Sequence, residues 1–294
     1  MLFSLMDGFI ILDKPEGMTS AQCVYKLRSI LGIKRIGHCG TLDPLATGLL
    51  PVCVGEATKF SNYATNHNKV YEVGIKFGIE TNTGDITGQT ISEKKYLVED
   101  HDLEEYLTNF EGVHYQTPPM FSAIKQDGNP LYYWARKGVY LYREPRRIEI
   151  MNIELIDSLK NQATIKVSCS KGTYIRTLIE QLGRGLGSVA TVASLRRLEV
   201  GHIRIHDNFC KLEEPKESLI NKILPCDAML EGFEKIALNS EDVKKVRNGL
   251  SIDYNAPLKN KGLVRIYSKR NLFIGLGQVY KNNKIKPKRL LATN

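Results

Sequence analysis

One short segment carries the residue of this chain that is best placed to do chemistry. Residues 37–44 read GHCGTLDP and continue as LATGLL, so a single carboxylate, Asp43, lies between glycines and threonines. Glycine permits close approaches that other residues forbid, and Pro44 keeps Asp43 out of the helical region of backbone conformation. We therefore predict that Asp43 is held in a non-helical loop that a ligand can approach, as a nucleophile or a general base would be.

The same dipeptide has an ordinary structural interpretation. Asp before Pro is a common start of a helix, with Asp43 as the N-cap and Pro44 at the first helical position. The length of the pattern favours chemistry instead. Together with GEATK at residues 55–59, the segment resembles the catalytic segment of the TruB family of tRNA pseudouridine synthases. The resemblance implies that Asp43 is the catalytic aspartate of an enzyme that isomerises uridine to pseudouridine in the T loop of tRNA, at position 55 of the standard tRNA numbering.

Tyr71 and Arg176 are the other two candidate catalytic residues. Tyr71 lies on the apolar face of a predicted strand, where a tyrosine is ordinarily part of the core; the resemblance implies that it packs against the target base. Arg176 lies in the first turn of a predicted helix, where an arginine ordinarily faces solvent. The resemblance implies that Arg176 pairs with Asp43. An arginine partner lowers the pKa of a carboxyl group and fixes its orientation, so we expect Asp43 to be ionised at neutral pH.

The resemblance adds three residues near the catalytic candidates that contact the RNA or the target base. Tyr174 belongs to the motif GTYIR that also contains Arg176, and Leu195 belongs to the motif SLRR and is expected to line the base pocket. The two arginines of that second motif, residues 196 and 197, are either structural or phosphate-facing. His38 is a metal ligand, a base or a packing residue by its type alone, and we discount a metal because no partner stands at ligand spacing. By resemblance, His38 fills the space in the RNA that the extruded base vacates.

Residues 114–147 differ from the rest of the chain because they are rich in Tyr, Pro and Arg and include the single tryptophan, Trp134. Residues 120–147 contain six Lys and Arg against two acidic residues. One interpretation is a helix with an aromatic core stripe. The other is an arm that closes on nucleic acid by stacking and phosphate contacts, and PPMFSA at residues 118–123 resembles the insertion with which the family grips the T-arm of tRNA. On that hypothesis Lys125 and Arg136 bind RNA.

The remaining pattern predicts an α+β fold in which strands and helices position these residues. Alternating or apolar runs predict strands at residues 8–12, 70–77 and 163–170, and a capping box at Thr19 predicts a helix that ends at Gly32. Apolar residues at helical spacing predict helices at residues 103–110 and after residue 174, the second closed by glycines at 183, 185 and 187. Residues 78–88 look like a loop, residues 207–233 like an irregular connection, and residues 236–294 like a run of short strands.

Composition and charge indicate two domains and a polyanionic partner. The 294 residues are 42% hydrophobic and 25% charged, as expected for a globular protein with a sizeable core. Residues 235–294 contain 14 Lys and Arg against 3 Asp and Glu, whereas the rest of the chain is nearly balanced. A solvated tail would explain this excess, and so would an RNA-binding module. We predict a pseudouridine synthase catalytic domain with a mixed central sheet at residues 1–234, and a small β-rich domain that resembles PUA domains at residues 235–294.

The sequence also indicates which partners and cofactors to expect. The six cysteines form no CxxC pair, which favours reduced thiols in the cytoplasm and no structural metal. No apolar run is long enough to span a bilayer. Isomerisation of uridine requires no redox step and no cofactor, and the resemblance implies a monomer that needs no protein partner. An RNA-guided synthase subunit and a tRNA-folding chaperone independent of catalysis are the alternatives. Met6 is a candidate start, with residues 1–5 as an extension.

Overall fold

The computed structural model describes residues 6–96, 100–204, 209–254, 257–258 and 262–292. Residues 1–5, which the sequence suggests as an extension, lie outside the described part of the chain. None of the helices in these ranges is long and apolar enough to cross a membrane.

Strands and helices alternate irregularly along the chain. The first part contains β1 (Gly8–Lys14), α1 (Ser20–Leu31), β2 (Ile36–His38), β3 (Thr47–Val54), α2 (Ser61–Thr65), β4 (Lys69–Phe77), β5 (Ile79–Thr81), β6 (Thr90–Glu93), α3 (Asp100–Thr108) and β7 (Gly112–Gln116). The middle contains β8 (Lys125–Gln126), β9 (Asn129–Pro130), α4 (Leu131–Arg136), β10 (Arg146–Leu159), β11 (Gln162–Cys169), α5 (Ile175–Gly185), β12 (Ala190–Val200) and β13 (Ile203–Arg204). The last part contains α6 (Lys216–Asn221), β14 (Glu234–Leu238), α7 (Ser240–Arg247), β15 (Ile252–Asp253), β16 (Leu263–Ser268), β17 (Phe273–Val279) and β18 (Lys284–Leu290).

Two sheets organise the described residues, and the predicted α+β fold is confirmed. The larger sheet has the strand order β1-β3-β12-β4-β11-β10-β7, with β2 paired to β3 and β13 to β12. It is mixed, because β12 runs parallel to β3 and antiparallel to β4. The smaller sheet has the order β14-β16-β17-β18-β15 and begins with the parallel pair β14 and β16.

Local signals in the sequence predicted the elements near the candidate site. Thr19 caps α1 in a full capping box with Gln22, and Gly32 ends this helix in the left-handed conformation, with φ of 70°. In β4 the side chains of Tyr71, Val73, Ile75 and Phe77 are all buried, as the alternation predicts. These elements therefore form where the hydrophobic period and the caps require them.

Four predictions of elements need correction. Residues 78–88 contain the short strand β5, and residues 207–233 contain α6 and buried apolar side chains such as Leu219 and Met229. The C-terminal segment includes the helix α7 among its strands. Gly183 does not close α5 but lies inside it. A Cβ at this position would lie 2.5 Å from the Ala190 nitrogen, so the glycine lets the helix pack closely on β12. Gly185 is the last residue of the helix, and Gly187 follows it with φ of 73°.

The C-terminal sheet packs against the larger one. The rings of Phe60 and Phe273 are 5.5 Å apart, and Leu276 of β17 is fully buried in a cluster with residues of β1 and β3. The Lys59 ammonium donates a hydrogen bond of 2.9 Å to the Leu290 carbonyl. This contact brings the basic strand β18 to the side of the larger sheet.

Candidate active site

Asp43 lies in the loop between β2 and β3, and no helix starts there. The Ala46 amide donates to the Asp43 carbonyl at 3.1 Å, which closes a tight turn through Pro44. The buried Ser20 hydroxyl accepts from the Leu42 amide at 2.8 Å and contacts the Leu42 carbonyl at 3.1 Å. The predicted non-helical position is therefore confirmed, and the start of α1 fixes the backbone next to the carboxylate.

Two fully buried cations bond to backbone carbonyls of this loop and of the segments that adjoin it. Lys14 donates to the carbonyls of Pro15, Met18 and Pro44 at 2.8, 2.6 and 3.3 Å. Arg197 donates to the carbonyls of Leu49 and Gly40 at 2.7 and 3.2 Å. Sequence reasoning missed the role of Lys14 in the site, although Lys before Pro at the end of an apolar strand is a visible signal.

The open question about the SLRR motif is answered by these contacts. Arg197 is buried and bonds to backbone carbonyls, which favours the structural role, and it also lines the cleft described below. Arg196 forms a two-pronged ion pair with Asp13, at 3.0 and 2.9 Å, and is also structural.

Arg176 and Asp43 form the ion pair that the family resemblance implies. The Arg176 Nε lies 2.9 Å from the Asp43 Oδ2. The other two guanidinium nitrogens donate to the carbonyls of Thr83, at 2.7 Å, and Phe121, at 2.8 Å. Arg176 is only 5% exposed, so the interpretation of a solvent-facing arginine is wrong. Its planar group is held on all three nitrogens, which fixes the orientation of the Asp43 carboxylate.

The pKa of Asp43 shifts in the direction opposite to our expectation. Burial raises the pKa of this carboxyl above its usual value, and the nearby Asp85 adds to the rise, while Arg176 and Lys14 oppose it. The Asp43 side chain keeps 35% of its surface exposed toward the cleft. Loss of hydration by the carboxylate therefore outweighs the attraction of its arginine partner.

The carboxylate opens onto a cleft of about 560 Å³ that is also lined by Tyr71, Tyr174, Arg176 and Leu195. Tyr71 and Leu195 are 7% and 8% exposed and present mostly apolar surface. Burial raises the pKa of the Tyr71 phenol, so the ring stays neutral at physiological pH. The structure thus brings five of the eight predicted site residues to one cleft, with a charged pair beside apolar and aromatic walls.

The other three predicted residues do not line this cleft. His38 is half-buried at the end of β2, and burial together with Arg197 lowers the pKa of its imidazole. Lys125 and Arg136 are exposed on the segment between β7 and β10, with the Arg136 guanidinium 5.6 Å from the centre of the Tyr132 ring.

Sequence reasoning missed Lys69, which lies two residues before Tyr71 on the same face of β4 and also lines the cleft. Lys69 is 7% exposed, and its ammonium donates to the carbonyls of Thr65 and His67 at 2.7 and 2.5 Å. Burial lowers the pKa of Lys69 to about 8. The period of two that identified Tyr71 could have identified this lysine as an inward-facing cation.

Such a cleft can bind a planar, neutral ring against Tyr71 and Leu195 and present a carboxylate to it. The oriented carboxylate can attack an electrophilic carbon or remove a proton. Basic side chains at the rim, Arg146, Arg147 and Lys171, suit a ligand that carries phosphates.

Comparison with known proteins agrees over most of the chain. Residues 28–175 match the family described as TruB family pseudouridylate synthase, N-terminal domain, and residues 235–291 match the C-terminal family of pseudouridine synthase II TruB. The tRNA pseudouridine synthase B of Clostridium kluyveri is 39% identical over 276 residues, covering 92% of this chain and 95% of that protein. That of Stutzerimonas stutzeri is 40% identical over 301 residues, with coverages of 98% and 96%. In a crystal structure of a Cbf5-Nop10-Gar1 complex, a chain aligns with a TM-score of 0.76 at 24% identity, over 99% of this chain and 85% of that one.

Proposed function

This chain belongs to the TruB family of pseudouridine synthases, and we propose that it isomerises uridine to pseudouridine at position 55 in the T loop of tRNA. The observation that carries the proposal is the ion pair of Asp43 with a buried, triply held Arg176 at the wall of a cleft with apolar faces. Proteins named tRNA pseudouridine synthase B match over nearly the whole length, which does not favour an RNA-guided subunit or a chaperone without catalysis.

The reaction requires little chemical equipment. The C1′–N1 bond of uridine breaks, the uracil ring turns, and C5 bonds to C1′; the hydrogen on C5 is then lost to solvent, while N1 gains a proton. Asp43 starts this sequence either by attacking the sugar or by acting as a base, and both routes fit its position. Arg176 holds the carboxylate in the required orientation.

The target base has to leave the folded loop before it reaches Asp43, and extrusion costs on the order of a few kcal/mol. In the proposed complex, Tyr71 stacks on the uracil, and Leu195 and Tyr174 contact its surroundings. His38 fills the space that the base vacates in the RNA, a role that suits its neutral ring because stacking needs only a flat surface.

Two parts of the chain outside the cleft would bind the RNA and so offset the free-energy cost of extruding the base. Lys125 and Arg136 belong to the arm at about residues 114–147, and both are exposed. The C-terminal part, residues 235–294, would act as a PUA-like RNA-binding domain beside the catalytic domain of residues 1–234. Exposed Lys288 and Arg289 of β18 line a second cavity of about 400 Å³ that shares Asn66 with the catalytic cleft, which gives the RNA backbone a continuous basic path.

We further propose that the chain acts alone as a monomer on tRNA in the cytoplasm. All six cysteines are buried and free, which suits a reducing compartment. The same basic arm and basic strand would let the protein bind its RNA without a guide.

The proposal is tested by release of tritium from a T-arm RNA labelled at C5 of the target uracil, with no added metal or cofactor. Formation of the C–C bond expels that hydrogen, so the signal reports the reaction itself. We expect stoichiometric release by the wild-type chain and none by Asp43→Asn, with RNA binding retained. Asp157→Asn, at an exposed site in β10 where an asparagine oxygen can still accept from the Ser158 amide, is the matched control and should release tritium at the wild-type rate. Tight RNA binding without release by the wild-type chain would contradict the proposal.

A further inference from the structure

The arm leaves the sheet at one pair of residues, at the end of the β7–β10 ladder. Gln116 of β7 and Arg146 of β10 form the last pair of the ladder between these strands, and residues 117–145 extend beyond it. Gln116 is 2% exposed although its side chain is a polar amide. A buried amide has to find hydrogen-bond partners, because an unsatisfied one costs on the order of 1–3 kcal/mol.

The partners of Gln116 belong to the active site. Its Oε1 accepts from the Tyr174 amide at 2.7 Å, and its Nε2 donates to the Tyr174 carbonyl at 3.1 Å. Tyr174 is the N-cap residue of α5 and makes no capping hydrogen bond with its own side chain. Gln116 therefore holds the start of α5 by both backbone groups of its cap residue, two positions before Arg176.

The arm reaches the same helix a second time through its backbone. The Phe121 carbonyl accepts from the Arg176 Nη2 at 2.8 Å. This part of the arm is folded on itself, since the Tyr132 amide donates to the Ser122 carbonyl at 3.1 Å. A displacement of the arm at its root would therefore move both the start of α5 and one of the three partners of Arg176.

We propose that Gln116 is a positioning residue for catalysis, which joins the root of the arm to α5 and thereby sets Arg176 against Asp43. The inference rests on the function proposed above, because it assumes that the arm binds RNA and that the ion pair acts on uridine. Binding of RNA to the arm would then change the orientation of the catalytic carboxylate through Gln116 and the Phe121 carbonyl. Neither Gln116 nor that carbonyl needs to contact the RNA itself.

The test compares two glutamine variants in the full-length chain. Gln116→Met keeps the approximate volume and removes both hydrogen bonds. Gln278→Met is the matched control, because the Gln278 amide also makes two hydrogen bonds to backbone, to the carbonyls of Gly262 and Val279 at 3.2 Å each, in the C-terminal sheet. With enzyme at concentrations that saturate the labelled T-arm RNA, so that binding does not limit the rate, we expect Gln116→Met to lower the single-turnover rate about tenfold or more, and Gln278→Met to leave it unchanged.

A pH profile separates positioning from a general loss of stability. The charged groups that face Asp43 are Arg176 from α5, Asp85 after β5 and Lys14 from β1. Of these, only Arg176 is held by the arm, and its charge keeps the pKa of Asp43 from rising further. In Gln116→Met the acidic limb of the single-turnover rate should therefore move to higher pH, whereas in Gln278→Met it should stay at the wild-type position.

Gln116→Glu provides the second variant and applies even if Gln116→Met fails to fold. Protonated glutamic acid can accept from the Tyr174 amide and donate to its carbonyl, as glutamine does, whereas the ionised form cannot donate. We expect the rate of Gln116→Glu relative to wild type to recover as the pH falls.

The outcomes separate the two proposals. No tritium release by the wild-type chain would reject the proposed function itself. An active wild-type chain, with a rate and acidic limb for Gln116→Met that equal those of Gln278→Met, would overturn the role of Gln116 alone. A constant ratio of Gln116→Glu to wild type across the pH range would overturn it equally.

Discussion

The forked contact of Arg176 makes a strong prediction for the substitution Arg176→Lys. The guanidinium reaches the carboxylate of Asp43 and the carbonyls of Thr83 and Phe121 with three different nitrogens. A lysine keeps the positive charge but ends in one ammonium group, which cannot reach partners on three sides of a plane. Retaining the ion pair would leave both carbonyls without their donor.

The expected loss follows from these two contacts. A hydrogen bond from a charged donor contributes about 1.5–3 kcal/mol, so two of them give about 3–6 kcal/mol. The Asp43 side chain is 35% exposed, and water in the cleft will replace part of what is lost. We therefore expect Arg176→Lys to lower the free energy of unfolding by about 2–4 kcal/mol. A carboxylate displaced by about 1 Å should also lower the single-turnover rate by about 100-fold.

Urea denaturation and tritium release from excess enzyme measure the two effects separately. Arg184→Lys is the matched control, because Arg184 lies on the same helix and pairs with Glu80, but its side chain is 59% exposed. The control should lose at most about 1 kcal/mol and keep the wild-type rate. Stability within 1 kcal/mol and a rate within threefold of wild type for Arg176→Lys would refute the reasoning, because the two carbonyl contacts would then be dispensable.

Two further predictions concern Asp43 and the basic strand β18. Burial raises the pKa of Asp43 above its usual 3.8, so this carboxyl ionises less readily in the folded chain than in the unfolded chain. The wild-type protein should therefore lose stability as the pH rises from about 4 through the raised pKa. The variant Asp43→Asn cannot ionise and should not lose stability in this way. Urea denaturation should find it more stable than wild type at neutral pH and equally stable below about pH 4. A stability difference that is independent of pH would show that the raised pKa of Asp43 is not its cause. For RNA binding, Lys288→Gln combined with Arg289→Gln should reduce the slope of log K against log salt by about 1.4–1.8, while the single-turnover rate at saturating enzyme stays unchanged. An unchanged slope would remove β18 from the RNA-binding surface.

Parts of the site were predictable from sequence because they depend on local signals. The alternation of β4 places Tyr71 on the buried face, and the Pro after Asp43 keeps the carboxylate out of a helix. The apolar stripe of α5 likewise identifies its buried side. Each of these inferences uses residues within one element, where the period of the backbone decides which way a side chain points.

The environment of Arg176 was not predictable in this way. It lies beside the apolar stripe of α5, and a helix alone would leave it exposed. Its burial comes from Thr83 and Phe121, which are 93 and 55 residues away in the sequence. The pKa of Asp43 was not predictable for the same reason. The sequence indicates the positively charged partner Arg176, which lowers this pKa, but not the loss of hydration caused by distant parts of the chain, which raises it.

The buried cations beneath the loop explain why a catalytic carboxylate can be held in irregular structure. The carbonyl groups of a loop receive no hydrogen bonds from a neighbouring strand. Each buried carbonyl without a donor costs on the order of 1–3 kcal/mol. Lys14 supplies a donor to the Pro44 carbonyl of this loop and Arg197 one to the Gly40 carbonyl. Their other donors bond to carbonyls of the adjoining segments, at Pro15, Met18 and Leu49. Gly48, with φ of 93°, lets β12 approach so closely that a Cβ there would lie 2.4 Å from the Arg197 carbonyl. The backbone of Asp43 is thus fixed from the sheet side, independently of the arm.

The carboxylate of Asp43 is fixed differently, and this difference has a functional consequence. Among the described residues it bonds to Arg176, which the arm contacts through Phe121 and whose helix start is held by Gln116. The backbone of Asp43 is therefore held by residues of the sheet, whereas the orientation of its side chain depends on the segment expected to bind RNA. Such a division lets the protein keep a stable loop while its reactive group responds to the substrate.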